Sequence, residues 1–154
     1  MVKEIKGSLD GQGLKIGIVL AEFNDFITTQ LKRGAVDTLE KQGVKNEEIT
    51  VCRVPGSFEI PGAARRLRDS GKFDGILCLG AVIRGETSHY EYVSSEVTRG
   101  VGQLSFESDI PLVFGIITAD NLDQAVERAG VKAGNKGAEA ARSLVQMINT
   151  YSQL

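Results

Sequence analysis

The sequence predicts an α/β fold built on a doubly wound parallel sheet, and three observations carry that expectation. Apolar runs of strand length lack strict alternation, as in strands buried on both faces. Segments of helical period separate them. The resulting order, βαβαβαβαα, closes into a sheet with helices on both faces once each crossover is right-handed.

The first strand is expected over Lys15 to Leu20. The segment Ala21-Glu22-Phe23-Asn24-Asp25 leaves it, with Asn24 or Asp25 as a candidate N-cap and Phe23 as a candidate hydrophobic staple. Ile27, Leu31, Ala35 and Leu39 recur at i+4 spacing, and Lys41-Gln42-Gly43 closes that helix with a cation and a glycine. A second strand is expected over Ile49 to Val54, followed by Pro55-Gly56-Ser57-Phe58-Glu59-Ile60-Pro61. Pro55-Gly56 and Pro61-Gly62 read as turn chemistry. Gly75 to Ile83 is the third strand, and Arg84-Gly85-Glu86-Thr87-Ser88-His89 leads into a helix that Thr87 or Ser88 could cap. Leu112 to Thr118 is the fourth strand, containing Phe114 and followed by Ala119-Asp120-Asn121. Ala141, Leu144, Val145 and Ile148 mark the last helix. Residues 1–10 look extended and fit none of these units, so they form an arm that stays loose or pairs with a sheet edge, a neighbour's included.

The bulk properties narrow the classes. A chain of 154 residues suits one domain spanning residues 1–154. Its apolar share of 42% and charged share of 25% are ordinary for a globular protein. A net charge of −2 offers no electrostatic argument for nucleic acid or an anionic membrane. The cluster Arg65, Arg66 and Arg68 reads as a solvated helix flank. No run approaches 18 apolar residues, and Met1 to Lys6 has no apolar signal core, so the cytoplasm is the expected compartment. Cys52 and Cys78 fall in strand-like runs and read as small core hydrophobes rather than a bridge. Eighteen glycines, about 12% against a usual 7%, punctuate the junctions between elements.

If the strands are parallel, the four segments leaving their C-terminal ends open on one face, where ligands of such sheets gather. Phe23 and Phe58 there would offer flat faces to an aromatic heterocycle. Backbone N–H groups from Gly85 to Thr87, opening a helix, make an anion site. The Glu86 carboxylate would repel an anion unless it points to water and only its N–H faces the ligand. His89 is the only histidine, and imidazole can both take and give protons near neutrality. Its plainer reading is a surface histidine. Arg128 and Lys136 are placed to hold a phosphate as side-chain cations, although Gly130 to Gly137 is not a phosphate loop. Zinc is not expected: there is one histidine, no C-x-x-C spacing, and no P-C-x-x-C after His89-Tyr90-Glu91. Neither a G-x-S-x-G elbow nor a dinucleotide fingerprint is present, so the simplest expectation is a site without metal or cofactor.

Phe23-Asn24, Pro55 to Pro61, Gly80 to Thr87, His89, Glu127-Arg128-Ala129-Gly130 and Gly134-Asn135-Lys136-Gly137 together give the chain a resemblance to the 6,7-dimethyl-8-ribityllumazine synthase family. The likeness spans essentially the whole chain and implies a flavodoxin-like three-layer sandwich with a central parallel sheet. It implies a condensation of 5-amino-6-ribitylaminouracil with 3,4-dihydroxy-2-butanone 4-phosphate, without cofactor, releasing the lumazine, phosphate and water. By this likeness Phe23 would stack on the pyrimidine, while Ser57, Phe58, Glu59 and the Ala81, Val82 and Ile83 backbone would bind its polar edge and ribityl chain. Glu86, Thr87 and Arg128 would hold the phosphate, and an ion pair between Lys136 and Glu139 would tune that pocket. His89 would be catalytic, moving protons. Phe114, Arg128 and Lys136 would come from a neighbouring subunit of a homo-oligomer.

The family's assemblies are pentamers or icosahedral shells of pentamers. The short connection Gly130-Val131-Lys132-Ala133-Gly134 resembles that of the shell-formers. Riboflavin synthase, which consumes the product, is the further partner implied. Two departures stand out: Phe58 replaces a frequent Trp or Tyr, and Val131 a frequent Thr. Other readings are an archaeal-type riboflavin synthase, a lumazine or flavin carrier without turnover, and a receiver domain. The last would need acidic residues at the strand ends, and Val19-Leu20-Ala21 has none.

Overall fold

A computed structural model describes residues 1–130 and 134–154. Four parallel strands, β1 (Ile16–Ala21), β2 (Ile49–Val54), β3 (Gly75–Ile83) and β4 (Leu112–Ala119), form one sheet in the order β2-β1-β3-β4. Among the described residues, five α-helices flank it: α1 (Asp25–Lys41), α2 (Ile60–Asp69), α3 (His89–Glu107), α4 (Leu122–Arg128) and α5 (Lys136–Tyr151). The strands stand within a residue of their expected ends.

The side-chain period of two divides β1 and β3 between two cores. Ile16, Ile18, Leu20, Leu77, Leu79 and Ala81 face α1, α4 and α5. Val19, Ala21, Ile76, Cys78 and Val82 face α2 and α3. This is the three-layer, flavodoxin-like α/β sandwich expected.

The helix ends follow local chemistry, with exceptions. Gly43 adopts φ +102° after α1, and the Val44 N–H reaches back to the Leu39 carbonyl at 3.0 Å, closing the helix as Lys41-Gln42-Gly43 suggests. Pro61 is not a turn residue. It occupies the second position of α2, where its missing N–H leaves no helical bond unmade. Ser88 stands at the N-cap of α3, but its hydroxyl makes no cap bond.

The N-terminal segment also departs from expectation. It is neither loose nor strand-paired where it approaches α5: the Gly7 N–H donates to Thr150 Oγ1 at 3.0 Å, and Asn149 Nδ2 donates to the Ser8 and Asp10 carbonyls at 2.9 and 2.8 Å. A Cβ on Gly7 would stand 2.2 Å from the Gln146 carbonyl oxygen, so glycine is what lets this segment lie against the helix. Val131 and the centre of the Gly130–Gly134 connection lie outside the described residues. Among the described residues, no helix is long and apolar enough to cross a membrane.

Both cysteines are free thiols; Cys78 is fully buried and Cys52 half-buried. Burial pushes the Cys78 thiol from an ordinary 9.0 up to about 12, because the apolar core cannot solvate a thiolate. The unfolded chain therefore loses this proton from about pH 9 while the folded chain keeps it to about pH 12. Stability from this group is present below pH 9 and is lost as pH rises through that window. Unfolding titrations should show wild-type stability falling more steeply than that of Cys78→Ala between pH 9 and 11, by up to about 1.4 kcal/mol per pH unit. Parallel slopes would place the thiol in contact with solvent.

Candidate active site

The chain leaves β1 towards β2 and leaves β3 towards β4, so their adjacent C-terminal ends form the switch point of the sheet. A cleft of about 760 Å³ opens there, within the range of small-molecule sites. Phe23 and Asn24 enter from the β1–α1 loop, Pro55 to Glu59 from the β2–α2 connection, and Ala81 to Ile83 from the end of β3. Gly85, Thr87, His89, Tyr90 and Val93 complete the wall from the α3 side. Phe23 and Phe58 are 71% and 59% exposed, an arrangement that offers two aromatic faces to a ligand rather than to the core.

Hydrogen bonds tie the loops to one another. The Glu22 and Phe23 N–H groups donate to the Val54 and Pro55 carbonyls at 2.8 and 2.9 Å, so the first two loops continue the sheet past its strand ends. Asn24 stands at the N-cap of α1 but does not cap it. Its backbone is left-handed, φ +63°, and its Nδ2 donates to the Ala81 carbonyl of β3 at 3.0 Å. Asn tolerates this region better than most residues, and the amide holds the Phe23 loop to the floor of the cleft. Ser57 is buried in a single 3-10 turn, Ser57–Glu59, that runs directly into α2. That turn sits close to β3 because Gly80 has no side chain: a Cβ there would stand 2.6 Å from Ser57 Oγ and 3.0 Å from Ile60 Cδ1.

The β3–α3 loop is held by Arg84. Its N–H donates to the Ala119 carbonyl at 2.8 Å, its guanidinium reaches Asp120 at 3.1 Å and Glu91 at 3.3 Å, and it lies 4.7 Å over the Tyr90 ring. Hydrogen bonding to Asp120, and then to Glu91, raises the guanidinium pKa from its ordinary value. His89 is the exposed first residue of α3, and its N–H reaches Thr87 Oγ1 at 3.4 Å. Glu86 is exposed on the loop between Arg84 and His89 and is not part of the cleft wall.

The expected cations stand elsewhere in the chain. Arg128 and Lys136 line a second cleft of about 460 Å³ beside β4, with Thr118, Glu127 and Glu139. Arg128 Nη1 donates to the Thr118 carbonyl at 2.5 Å, and Lys136 pairs with Glu139 at 3.7 Å, as their i,i+3 spacing allows. Phe114 is half-buried on β4 against the α2–α3 core. A single chain thus gathers Phe23, Ser57, Phe58, Glu59, Ala81 to Ile83, Thr87 and His89 in one cleft, and leaves Phe114, Arg128, Lys136 and Glu86 outside it.

Sequence reasoning left Asn24 open between a cap and another role, and missed Tyr90, Val93 and the Arg84 clamp. An Asn following an exposed aromatic at a strand end was the one local signal for Asn24. The Arg84 partners are up to 36 positions away and left no local trace. Among the described residues, no group of three or more His, Cys, Asp or Glu side chains is arranged to hold a metal ion.

The sequence model of the family described as 6,7-dimethyl-8-ribityllumazine synthase matches residues 13–152, all but the first twelve and last two positions.

The gap at Gly80 supplies a test of how tightly the wall is built. Gly80→Val should displace the Ser57–Glu59 turn and destabilise the chain by about 1–3 kcal/mol, as overpacked cores do. Chemical unfolding measures the cost. An unchanged midpoint would mean that the turn yields without penalty.

Proposed function

The chain belongs to the 6,7-dimethyl-8-ribityllumazine synthase family, transferases of riboflavin biosynthesis, and from that membership we propose that it condenses 5-amino-6-ribitylaminouracil with 3,4-dihydroxy-2-butanone 4-phosphate. The observation that carries the proposal is the cleft at the β1/β3 switch point, where two exposed phenyl rings, a polar turn, strand-end backbone and the one imidazole of the chain converge. These are the parts needed to hold a flat polar heterocycle beside a group that moves protons.

The chemistry asks little else of the protein. The 5-amino group attacks the butanone carbonyl, and water leaves to form an imine. Elimination then expels the phosphate. The ribitylamino nitrogen closes the ring on the remaining carbonyl with loss of a second water. The nucleophiles belong to the substrate, so holding the two reactants together and shuttling protons account for the catalysis. In this reading Phe23 stacks on the pyrimidine. Ser57, Phe58, Glu59 and the Ala81 to Ile83 backbone take its polar edge and ribityl chain. His89 carries protons. The Glu86 and Thr87 N–H groups, with Arg128, hold the phosphate, and the Lys136–Glu139 pair sets the charge beside it.

The position of the cations bears on assembly. Phe114, Arg128 and Lys136 lie outside the aromatic cleft of their own chain, which supports a site completed by a neighbouring subunit. The proposed assembly is a pentamer, and a shell of pentamers beyond it. Riboflavin synthase is the proposed recipient of the product.

The first experiment mixes the purified protein with both substrates and follows lumazine absorbance and fluorescence against the uncatalysed rate. Catalysed formation supports the reading; pyrimidine binding without turnover would make the protein a carrier. His89→Ala should lower turnover by roughly 10²-fold while pyrimidine affinity and assembly persist. Unchanged turnover removes His89 from the mechanism. Arg128→Ala should weaken phosphate-bearing ligands more than the pyrimidine, whereas equal losses would mark a structural arginine.

A further inference from the structure

Arg128 closes α4 and Lys136 opens α5, yet the two line one cleft. Something must fix the end of one helix against the start of the next. The Lys136–Glu139 pair is solvent-exposed and lies within α5 alone, so it cannot do this.

The side chain of Asn135 can. Its Nδ2 donates to the Ala129 carbonyl at the end of α4 at 3.0 Å, and to the Gln30 carbonyl within α1 at 2.8 Å. Its Oδ1 accepts the Ala138 N–H at 3.0 Å, capping α5. Both amide hydrogens and the oxygen are thereby used, each on a different helix. Ala129 and Asn135 also form an isolated antiparallel bridge.

Three glycines make room for this amide. A Cβ on Gly34 of α1 would stand 2.3 Å from Asn135 Cγ, and one on Gly137 would stand 2.1 Å from the Leu31 carbonyl oxygen. Gly130, at φ +109°, takes a left-handed turn that L side chains rarely adopt, and a Cβ there would lie 3.1 Å from Nδ2. Serine keeps the capping oxygen but lacks the second donor and the reach. Aspartate cannot donate to either carbonyl and would set a charge against both.

We propose that Asn135 is the positioning residue for the cations of the phosphate site: by joining α4, α1 and α5 it holds Arg128, which takes the phosphate, in a fixed place relative to Lys136, which sets the charge beside it. The proposal rests on the reading that this cleft receives the substrate phosphate.

The test compares wild type, Asn135→Ser and Gly34→Ala in the intact assembled protein. The serine variant keeps the cap and removes the clasp; the alanine variant crowds the amide from α1 without altering a polar group. Each is measured for KM of both substrates, kcat, and calorimetric affinity for inorganic phosphate. Both should raise the KM of the butanone phosphate and weaken inorganic phosphate by about three- to tenfold, the range of one net hydrogen bond. The KM of the pyrimidine should stay within about twofold, since its cleft is built from other loops.

Unchanged phosphate affinity in both variants overturns the proposal, and so does an equal loss for both substrates. If Asn135→Ser fails to fold, Gly34→Ala alone decides. Arg128-dependent phosphate binding in a wild type that does not turn over the two substrates would defeat the functional reading while leaving the clasp to be judged by phosphate affinity. A wild type that does not bind inorganic phosphate overturns the placement of the anion and this inference with it.

Discussion

The parallel pairing of β1 with β3, Ile16 opposite Gly75 through Leu20 opposite Leu79, is the contact on which the other features depend. Both strands are covered on both faces, so their N–H and C=O groups have only neighbouring strands as partners and their side chains have only apolar surroundings. In such strands hydrophobic alternation cannot set the register, because a slip of one residue exchanges one apolar side chain for another. Missing side chains set it instead. A Cβ at Gly75 would meet Ile148 and Leu144 of α5 at 2.7 and 2.8 Å, and one at Gly80 would meet Ser57 from the opposite face. A slip of one residue either way puts a branched side chain, Ile76 or Leu79, in one of these gaps. The same register brings the ends of β1 and β3 side by side at the cleft.

The loops follow from that placement but are stiffened by polar contacts that cross between strands. Asn24 to the Ala81 carbonyl, Phe23 to Pro55, and Arg84 to Ala119 and Asp120 each join loops that belong to different crossovers. Without such ties, two phenyl rings exposed at a sheet edge would gain by folding onto the core. Held by their backbones, they stay open to the cleft. That is the condition for binding a heterocycle without first reorganising the wall.

What the sequence made legible follows from how local each signal is. Fully covered strands write their burial as continuous Val, Ile and Leu, so β1 and β3 could be placed almost to the residue. The Gly43 helix stop is equally local. The convergence of Phe23, Phe58, Thr87 and His89 was also legible, because parallel strands must open their C-terminal ends on one side. Contacts between distant segments were not. Nothing near Asn24 tells that its amide would leave its own helix for Ala81, and nothing in residues 6–10 tells that α5 would receive them. Pro61 misled for a different reason: the same fixed φ serves a turn and a first helical turn alike, and only tertiary packing chooses. The separation of Arg128 and Lys136 from the aromatic cleft was stated only through the family likeness, since no residue pattern carries a distance between clefts.

The charged groups here are conspicuous and the neutral amides are not, yet the amides do more of the holding. Lys136 and Glu139 are half-exposed or more, and exposed pairs of this kind contribute about 0–1 kcal/mol. Arg84 makes two such contacts with carboxylates that are themselves 64% exposed, so its value lies in fixing geometry rather than in stability. A part-buried amide is different. Asn135 answers the Ala129 carbonyl and the Ala138 N–H, helix-end groups that have no helical partner to replace it, and adds a bond to the Gln30 carbonyl inside α1. Losing it would leave those groups short of partners where water has little access, at about 1–3 kcal/mol for each group left unsatisfied. On the proposed reading, the work of placing Arg128 and Lys136 thus falls to a side chain that carries no charge.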